Sequence, residues 1–190
     1  MKLLLFILLS LNLIAQDDYS LRLAYGKVTS SDLGEILLGD IQTHKYDLRV
    51  LSLDFSYLLH KNISTLPIDI YLNIGTSCFN EDNTHNNIYE FVNYIKAYYK
   101  FSLLKNNFRF GFGEGISYTN EVLITEYLEA TQKNDHYSRF LNYLDISLDI
   151  RFDSWLLGVA IKHRSGIFGL INNVSHGGSN YNTLYIEKRF

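Results

Sequence analysis

The sequence predicts an all-β fold, an eight-stranded antiparallel up-and-down transmembrane β-barrel, and three observations carry this prediction. First, apolar and polar residues alternate in repeated segments: in 155–165, Trp155 and Leu157 share one strand face, whereas Arg164 lies on the other. Second, short and long connections alternate between these segments. Third, the chain ends on an aromatic residue, Phe190. An apolar exterior around a polar interior is typical of outer-membrane barrels.

Eight segments show this alternation. They are predicted as strands at 19–26, 46–59, 68–75, 91–101, 108–118, 144–152, 155–165 and 182–190. The parity of the second strand changes near Val50 and Leu51, which predicts a β-bulge there. Residues 78–89 are polar and rich in Asn, so a loop is predicted between the third and fourth strands.

The connections after the first, third, fifth and seventh strands are long, whereas the others are compact. The long ones are 29–45, 78–89, 119–142 and 167–180, and the compact ones are 60–67, 105–107 and 153–154. Apolar residues at helical spacing predict a short surface helix over 122–132. Outer-membrane barrels have long extracellular loops and short periplasmic turns. The N-terminus is therefore predicted in the periplasm, and the outer end of the seventh strand at the outer leaflet.

Residues 1–15 have the composition of a secretory signal peptide. Lys2 is an early cation, an apolar run follows it, and Ala15 is the small residue expected before a cleavage site. No later run approaches the roughly 20 apolar residues of a membrane helix. The sequence thus predicts an exported protein whose residues 16–190 form one barrel domain in the bacterial outer membrane.

The composition narrows the possible functions. A formal net charge of −3 gives no basic surface for nucleic acid. Fifteen Tyr and twelve Phe with one Pro favour strands. The single Cys78 excludes an intrachain disulfide framework. The histidines lack metal-ligand spacing, so neither a metal nor another cofactor is expected. Eight strands leave a lumen that side chains fill, which disfavours a pore.

The candidate chemistry is a histidine and a serine at the outer end of the seventh strand. His163 and Ser165 are two residues apart, so they share the lipid-facing side, with Cα atoms roughly 6–7 Å apart. Serine becomes a nucleophile when an adjacent base takes its proton, and histidine is the usual base. The alternative is that both are polar residues at the headgroup belt without a catalytic role.

Glu114 is a second candidate on the outer face. It shares parity with Phe110 and Phe112, so its side chain points towards lipid, where a carboxylate is costly. Glu114 either supplies an acid to the histidine or lies above the hydrocarbon band at the loop rim. The strand twist that Gly113 and Gly115 allow favours the rim.

The segment His163-Arg164-Ser165 resembles the His-x-Ser-Asn motif of the outer-membrane lipid A 3-O-deacylases, which are eight-stranded barrels. The resemblance covers the end of the chain together with the number and order of the strands. It implies Ser165 as nucleophile and His163 as base. Gly166 stands where that family has Asn. Asn180 falls where the family has the glutamate of its triad, which implies that Asn180 orients the histidine.

The resemblance implies a lipid A deacylase-like esterase that acts on the acyl chains of lipopolysaccharide. We also expect a monomer, and the eight alternating segments with the terminal Phe190 predict recognition of Phe190 by the barrel assembly machinery. The segments 31–37, 110–115 and 163–170 look more like a set of Gram-negative barrel proteins of unassigned function. The alternative function is therefore a non-catalytic outer-membrane barrel with a structural, adhesive or envelope role.

Overall fold

The computed structural model describes residues 18–81, 86–176 and 178–190, and the predicted signal peptide at 1–15 lies outside these ranges. Eight strands form a closed antiparallel barrel in which each strand pairs with its neighbours in sequence. The first strand pairs with the eighth from Ser20 opposite Arg189 to Thr29 opposite Asn180, which closes the sheet. The predicted fold class is confirmed.

Three connections between the strands are long, namely those after the first, fifth and seventh strands. The strands are β1 (Tyr19–Thr29), β2 (Arg49–His60), β3 (Ile68–Glu81), β4 (Asn86–Leu103), β5 (Asn106–Thr119), β6 (Phe140–Phe152), β7 (Trp155–Ser165) and β8 (Gly178–Arg189). Loops 1 to 4 follow β1, β3, β5 and β7. Loop 1 contains helix α1 (Leu33–Leu37), and loop 3 contains helix α2 (Ile124–Lys133), which confirms the helix predicted there.

The loop predicted at 78–89 is wrong, because β3 and β4 continue through most of it. Cys78 pairs with Tyr89, and Phe79 pairs with Ile88. The side chains of Phe79 and Ile88 are buried in the lumen, so inward-facing apolar residues continue through this segment. The segment is polar because this hairpin extends beyond the hydrocarbon layer. β4 has 18 residues, whereas about 9–11 residues of a strand cross a bilayer.

The bulge predicted near Val50 and Leu51 is also wrong. The β1–β2 register runs without interruption from Lys27 opposite Arg49 to Tyr19 opposite Tyr57. The break in parity has another cause, since β2 begins only at Arg49 and the preceding residues belong to loop 1. The register of β2 shifts instead at its other end, between Leu58 and His60.

The last strand begins earlier than predicted. β8 starts at Gly178, opposite Ser165, so Asn180 lies within the strand and not in the loop before it. Phe190 has the strand parity of outward Leu184 but is only 8% exposed, and its backbone N–H donates to the carbonyl of Tyr19. Both differences lengthen the pairing of β8 with its neighbours.

The outer surface of the barrel is an apolar belt. Every strand contributes outward apolar side chains that are more than a third exposed, for example Leu23, Leu53, Ile74, Ile95, Phe110, Leu148, Leu157 and Leu184. A water-soluble protein rarely exposes a continuous apolar surface of this extent. This belt is the lipid-facing surface that the sequence predicted. Among the described residues, no helix is long and apolar enough to cross a membrane.

The part of the lumen next to the short turns is filled by ion pairs. Arg22 contacts Glu187 at 3.0 Å and Asp145 at 3.3 Å. Arg109 donates through Nε and Nη2 to the two oxygens of Asp149, both at 2.9 Å, and through Nη2 to Glu187 at 3.0 Å. All five side chains are buried. Such charges are tolerated away from water only because each has partners of opposite sign.

The part of the lumen next to the long loops is filled by apolar and aromatic side chains. Residues of six strands and of loops 1 and 3 meet there: Val28, Leu48, Val50, Phe79, Ile88, Val92, Tyr94, Leu123, Tyr143 and Tyr181. Leu48 and Leu123 come from loops 1 and 3, so these loops cover the end of the barrel. The two halves together fill the lumen with side chains, as eight strands require.

Asp145 provides a test of the lumen network, because it accepts from both Arg22 and Lys96. Asp145→Asn removes the carboxylate paired with buried Lys96 and leaves Arg22 with Glu187 alone, so it is expected to reduce the free energy of unfolding by about 3–5 kcal/mol. Asp40→Asn in exposed loop 1 is the matched control and is expected to change it by less than about 0.5 kcal/mol. Urea unfolding followed by the fluorescence of Trp155 measures both. Equal midpoints for the two variants would contradict the network.

The three long loops lie at the same end of the barrel and predict its orientation in the membrane. An epitope tag inserted next to Lys133, in loop 3, is expected to bind antibody on intact cells, because long loops face the cell exterior. A tag in the turn at Asp153 is the control and is expected to react only after permeabilisation. The reverse result would show that the barrel has the opposite orientation in the membrane.

Candidate active site

Four outward residues form a row across the last four strands. Glu114 on β5 pairs with Leu144 on β6, Leu144 pairs with His163 on β7, and His163 pairs with Asn180 on β8. Side chains at paired positions point to the same face of a sheet. The pairing therefore brings three of the predicted site residues to one level of the outer wall, with Ser165 two residues beyond.

The closest contact in this row joins His163 to Asn180. Nδ1 of His163 lies 2.7 Å from Oδ1 of Asn180. Nδ2 of Asn180 donates to the carbonyl of Ser31 at 2.9 Å, and a carbonyl can only accept. The amide oxygen of Asn180 must therefore face the imidazole, so Nδ1 carries the proton and donates. Nε2 of His163 is left with its lone pair, which is the tautomer that a general base needs.

Ser31 belongs to loop 1, which folds against β8. Its backbone N–H donates to Oγ1 of Thr29 at 2.9 Å, and its own Oγ accepts from the backbone N–H of Gln42 at 2.9 Å. These bonds fix the carbonyl that holds Asn180. Sequence reasoning did not identify this role of Ser31, because the contact is made by a backbone atom 149 positions away from Asn180.

Ser165 is the last residue of β7 and faces outward like His163. Among the residues that the structure describes, its Oγ has no hydrogen-bond partner, and neither has Nε2 of His163. Their Cα atoms are two strand rises apart, roughly 6–7 Å. That separation lets the imidazole and the hydroxyl meet through rotation of the two side chains, without a change of the backbone.

A cleft of about 690 Å³ lies over this row, on the outside of the barrel. The outer faces of β5 to β8 form its floor, including Phe112 and Leu144, and loops 1, 3 and 4 form its rim. His163 and Ser165 are only partly exposed at its base. The cleft therefore combines an apolar floor, a histidine with a free nitrogen and a serine.

Three of the charged side chains of the cleft come from loops 1 and 3. Asp32 precedes α1, while Glu129 and Lys133 lie on α2. Lys133 pairs with Glu129 at 2.7 Å, and this hydrogen bond raises the pKa of Lys133. Carboxylates and a cation are thus present within reach of any polar group that enters the cleft.

Loop 4 is tied to loop 3 by Asp135. Its carboxylate accepts from the backbone N–H groups of Ser175, at 2.8 Å, and of His176. The bond from His176 is the main reason why the pKa of Asp135 lies below its ordinary value, followed by that from His136. Asp135 therefore stays ionised at neutral pH and fixes one side of the rim.

Glu114 faces outward, as its parity predicted, and lines the cleft. It lies two strands away from His163, which corresponds to roughly 9–10 Å along the sheet. No hydrogen bond joins the two among the described residues. The group that contacts the imidazole is therefore Asn180, and Glu114 is an exposed carboxylate in the wall of the cleft.

Gly166 follows Ser165 at a place where loop 4 folds back on itself. A Cβ there would lie 2.0 Å from the carbonyl oxygen of Val174 and 2.5 Å from its Cβ. No side chain fits without displacing the backbone of Val174. The departure from the family motif at this position is therefore a consequence of how loop 4 packs.

Arg164 points into the lumen, between the two outward candidates. Its Nε lies 3.2 Å from Glu126 of α2, and its Nη1 lies 3.8 Å from Glu90 of β4. Burial raises the pKa of Glu126, although Arg164 opposes this shift. These contacts attach α2 to the strand that carries His163 and Ser165. Sequence reasoning placed Arg164 inward but did not identify its partners.

The other predicted chemistry is dispersed. Cys78 is a free, half-buried thiol on the outer face of β3. The described residues contain no group of three or more His, Cys, Asp or Glu side chains arranged to hold a metal ion. The row on β5 to β8 is therefore the place where the structure gathers candidate catalytic groups.

Comparisons with known proteins support the fold. No protein-family model matches the sequence, and no curated protein matches it. The crystal structure of the outer-membrane enzyme PagL is similar with a TM-score of 0.64 at 13% identity, over 90% of this chain and 99% of that one. Neisserial surface protein A gives a TM-score of 0.52 at 10% identity, over 92% and 98%. With the apolar belt, this fold assigns the chain to the bacterial outer membrane.

The bond between His163 and Asn180 predicts the tautomer of the imidazole. Nitrogen NMR of the folded barrel with labelled histidine is expected to show His163 protonated at Nδ1 and not at Nε2 near pH 8, where the ring is neutral. Asn180→Ala is expected to abolish this preference. A His163→Gln sample identifies the signal among the six histidines. Protonation at Nε2 in the unchanged protein would contradict the arrangement.

Proposed function

We propose that this outer-membrane barrel is an esterase that removes an ester-linked acyl chain from lipid A in the outer leaflet. Ser165 is the nucleophile, His163 the general base, and Asn180 the group that orients the base. The observation that carries the proposal is the 2.7 Å contact between His163 and Asn180 on the lipid-facing wall. It leaves Nε2 unprotonated next to a serine that has no partner among the described residues.

The proposed reaction has two stages. Oγ of Ser165 attacks the ester carbonyl carbon, and its proton passes to Nε2 of His163. As the tetrahedral adduct collapses, His163 returns this proton to the leaving oxygen of the lipid, and the acyl group stays on Ser165. A water molecule then attacks the acyl-serine with His163 again as base. The products are a fatty acid, the deacylated lipid and free Ser165.

Asn180 performs only part of the role of a triad acid. It fixes the orientation and tautomer of His163, because its amide is held by Ser31. A neutral amide does not compensate the charge of the imidazolium that forms when Ser165 loses its proton. Glu114, Glu129 and Asp32 line the same cleft and stabilise that charge through space. This arrangement supports catalysis at a lower rate than a directly bonded carboxylate gives.

The position of the cleft supports a lipid substrate. It lies on the outer wall beside the apolar belt, so a membrane lipid reaches His163 without leaving the bilayer. Phe112 and Leu144 form an apolar floor for acyl chains. Lys133 at the rim provides a cation for a phosphorylated headgroup. With the long loops outside the cell, the cleft opens at the leaflet that contains lipopolysaccharide.

Export and assembly fit the same proposal. Residues 1–15 are removed as a signal peptide, and the assembly machinery binds the terminal Phe190 before β1 closes on β8. The closed sheet leaves no free strand edge among the described residues, so the barrel acts as a monomer.

A non-catalytic barrel is the second candidate, and two observations favour it. Among the described residues, Oγ of Ser165 makes no hydrogen bond with His163, and no carboxylate contacts the imidazole. In this case His163 and Ser165 are polar residues at the headgroup level. The loops then serve a structural, adhesive or envelope role.

Two substitutions test the nucleophile and the base. Ser165→Ala and His163→Ala are each expected to abolish loss of an ester-linked acyl chain, because removal of either group commonly costs several orders of magnitude in rate. Mass spectrometry of lipid A from cells that express each variant measures the loss. Heat-modifiable migration on gels controls for folding. If the unchanged protein releases no acyl chain from lipid A or phospholipid, the non-catalytic barrel takes first place.

The orienting group is tested separately. Asn180→Ala is expected to reduce the rate less than Ser165→Ala does, because it removes orientation and leaves the nucleophile. Asn180→Glu is expected to raise the rate by placing a charge beside the imidazole. Glu114→Gln is the control and is expected to have a smaller effect than Asn180→Ala. A larger effect of Glu114→Gln than of Asn180→Ala would indicate that Glu114 on β5 is the acidic group of the site.

A further inference from the structure

A groove on the outer wall of the barrel lies beside the cleft, and loop 1 borders both. Leu33 of loop 1 lines the cleft, whereas Ile36 and Ile41 of the same loop line the groove. The outer faces of β1, β7 and β8 form the floor of this loop 1 groove, including Val159 and Leu184. Its volume is about 500 Å³, within the range of about 300–1,000 Å³ that small-molecule sites occupy.

The loop 1 groove opens onto the apolar belt. Val159 and Leu184 are exposed side chains of that belt, and Leu38 adds an exposed apolar side chain from loop 1. The charged side chain that lines the groove is Lys27, and it is already paired with Asp47 at 2.5 Å. The groove is therefore continuous with the lipid-facing surface, and its apolar lining fits the chain of a lipid better than its headgroup.

One polar side chain in the loop 1 groove lacks a partner. Asn182 of β8 faces outward, paired with Ile161 of β7, and lines the groove. Neither Nδ2 nor Oδ1 of Asn182 has a hydrogen-bond partner among the described residues, and both atoms are buried. Asn180, two residues earlier on the same face, has both amide atoms bonded. Because buried polar groups are normally hydrogen-bonded, the amide of Asn182 indicates a polar group on the occupant of the groove.

The chemistry of an amide selects that polar group. Nδ2 of Asn182 can donate, and Oδ1 can accept. An alkyl chain satisfies neither atom, and an ester carbonyl can only accept from Nδ2. A hydroxyl accepts from Nδ2 and donates to Oδ1, so a single hydroxyl satisfies both. The occupant that fits the groove is therefore an apolar chain with a hydroxyl group on it.

We propose that the loop 1 groove binds a hydroxylated acyl chain of lipid A, whose hydroxyl is hydrogen-bonded to the amide of Asn182. Acyl chains of lipid A carry hydroxyl groups near their attachment to the sugar, whereas those of common glycerophospholipids do not. The groove and the cleft over Ser165 lie on different sides of loop 1, so this chain is not the one that the proposed esterase would remove. The binding does not require Ser165 to be a nucleophile.

Two fatty acids that differ only by a hydroxyl test the contact. Native mass spectrometry measures the retention of 3-hydroxymyristate and of myristate by the folded, detergent-solubilised barrel. The barrel is expected to retain 3-hydroxymyristate about tenfold more strongly, the worth of roughly one net hydrogen bond. Asn182→Leu keeps the size of the side chain but removes both polar atoms, so it is expected to retain the two probes equally. Asn93→Leu, which replaces an outward asparagine of β4, is the matched control and is expected to keep the preference.

Equal retention of the two probes by the unchanged protein overturns the proposal, and so does a preference that persists in Asn182→Leu. Where Asn182→Leu fails to fold, NMR of the unchanged barrel decides. The side-chain amide signal of Asn182 is expected to shift with 3-hydroxymyristate and not with myristate. The same response to both probes, or no response, overturns the proposal.

Whole lipids identify the source of the chain. Lipid A and phosphatidylethanolamine are added separately to the Ser165→Ala barrel, with and without Asn182→Leu. The lipid A adduct is expected to be the stronger one and to weaken when Asn182→Leu is present. A lipid A adduct that Asn182→Leu leaves unchanged, or an equally strong phosphatidylethanolamine adduct, overturns the proposal. Acyl release is not measured, so failure of this proposal is distinguishable from failure of the proposed esterase.

Discussion

The burial of charge in the lumen is the constraint on which the rest of the barrel depends. Glu187 joins Arg22 of β1 to Arg109 of β5, so residues of strands on opposite walls have to face one another across the interior. A slip of one residue in any strand would turn these ions towards lipid and apolar side chains into the lumen. Fixing Arg164 inward therefore also fixes His163 outward. The pairing of buried ions in the lumen therefore sets the strand register, and this register places the candidate site on the outer wall.

Loops hold this site from three directions. Loop 1 supplies the carbonyl of Ser31 that orients Asn180, and Arg164 attaches α2 through Glu126. Asp135 connects loop 4 to loop 3. The proposed catalytic residues lie on strands, whereas the loops form the rim of the cleft. Groups on strands are positioned more closely than groups on loops, as a catalytic site requires.

The sequence predicted the faces of the strands and the side on which His163, Ser165 and Glu114 lie, because alternation reports the pleat directly. The loop predicted from Cys78 onwards was wrong. The Asn-rich composition there indicates that the hairpin lies outside the hydrocarbon layer, and the strands continue through it. The sequence also could not identify Ser31, since a backbone carbonyl has no sequence signature. The need for glycine at 166 depends on Val174, and only the folded loop brings the two together.

The cost of burying a charge also explains why the partner of His163 is the neutral Asn180. Asn180 is 8% exposed on a wall that faces lipid, where a carboxylate would lose hydration without the paired cations that the lumen provides. The amide avoids this cost and still fixes the tautomer of the imidazole. The carboxylates of the cleft, Glu114 among them, are exposed and keep their hydration. In the proposed esterase reaction, a buried neutral group therefore orients the base, and hydrated carboxylates at a distance compensate its charge. Under this proposal, the neutral partner favours stability in the membrane over the maximum rate of proton transfer.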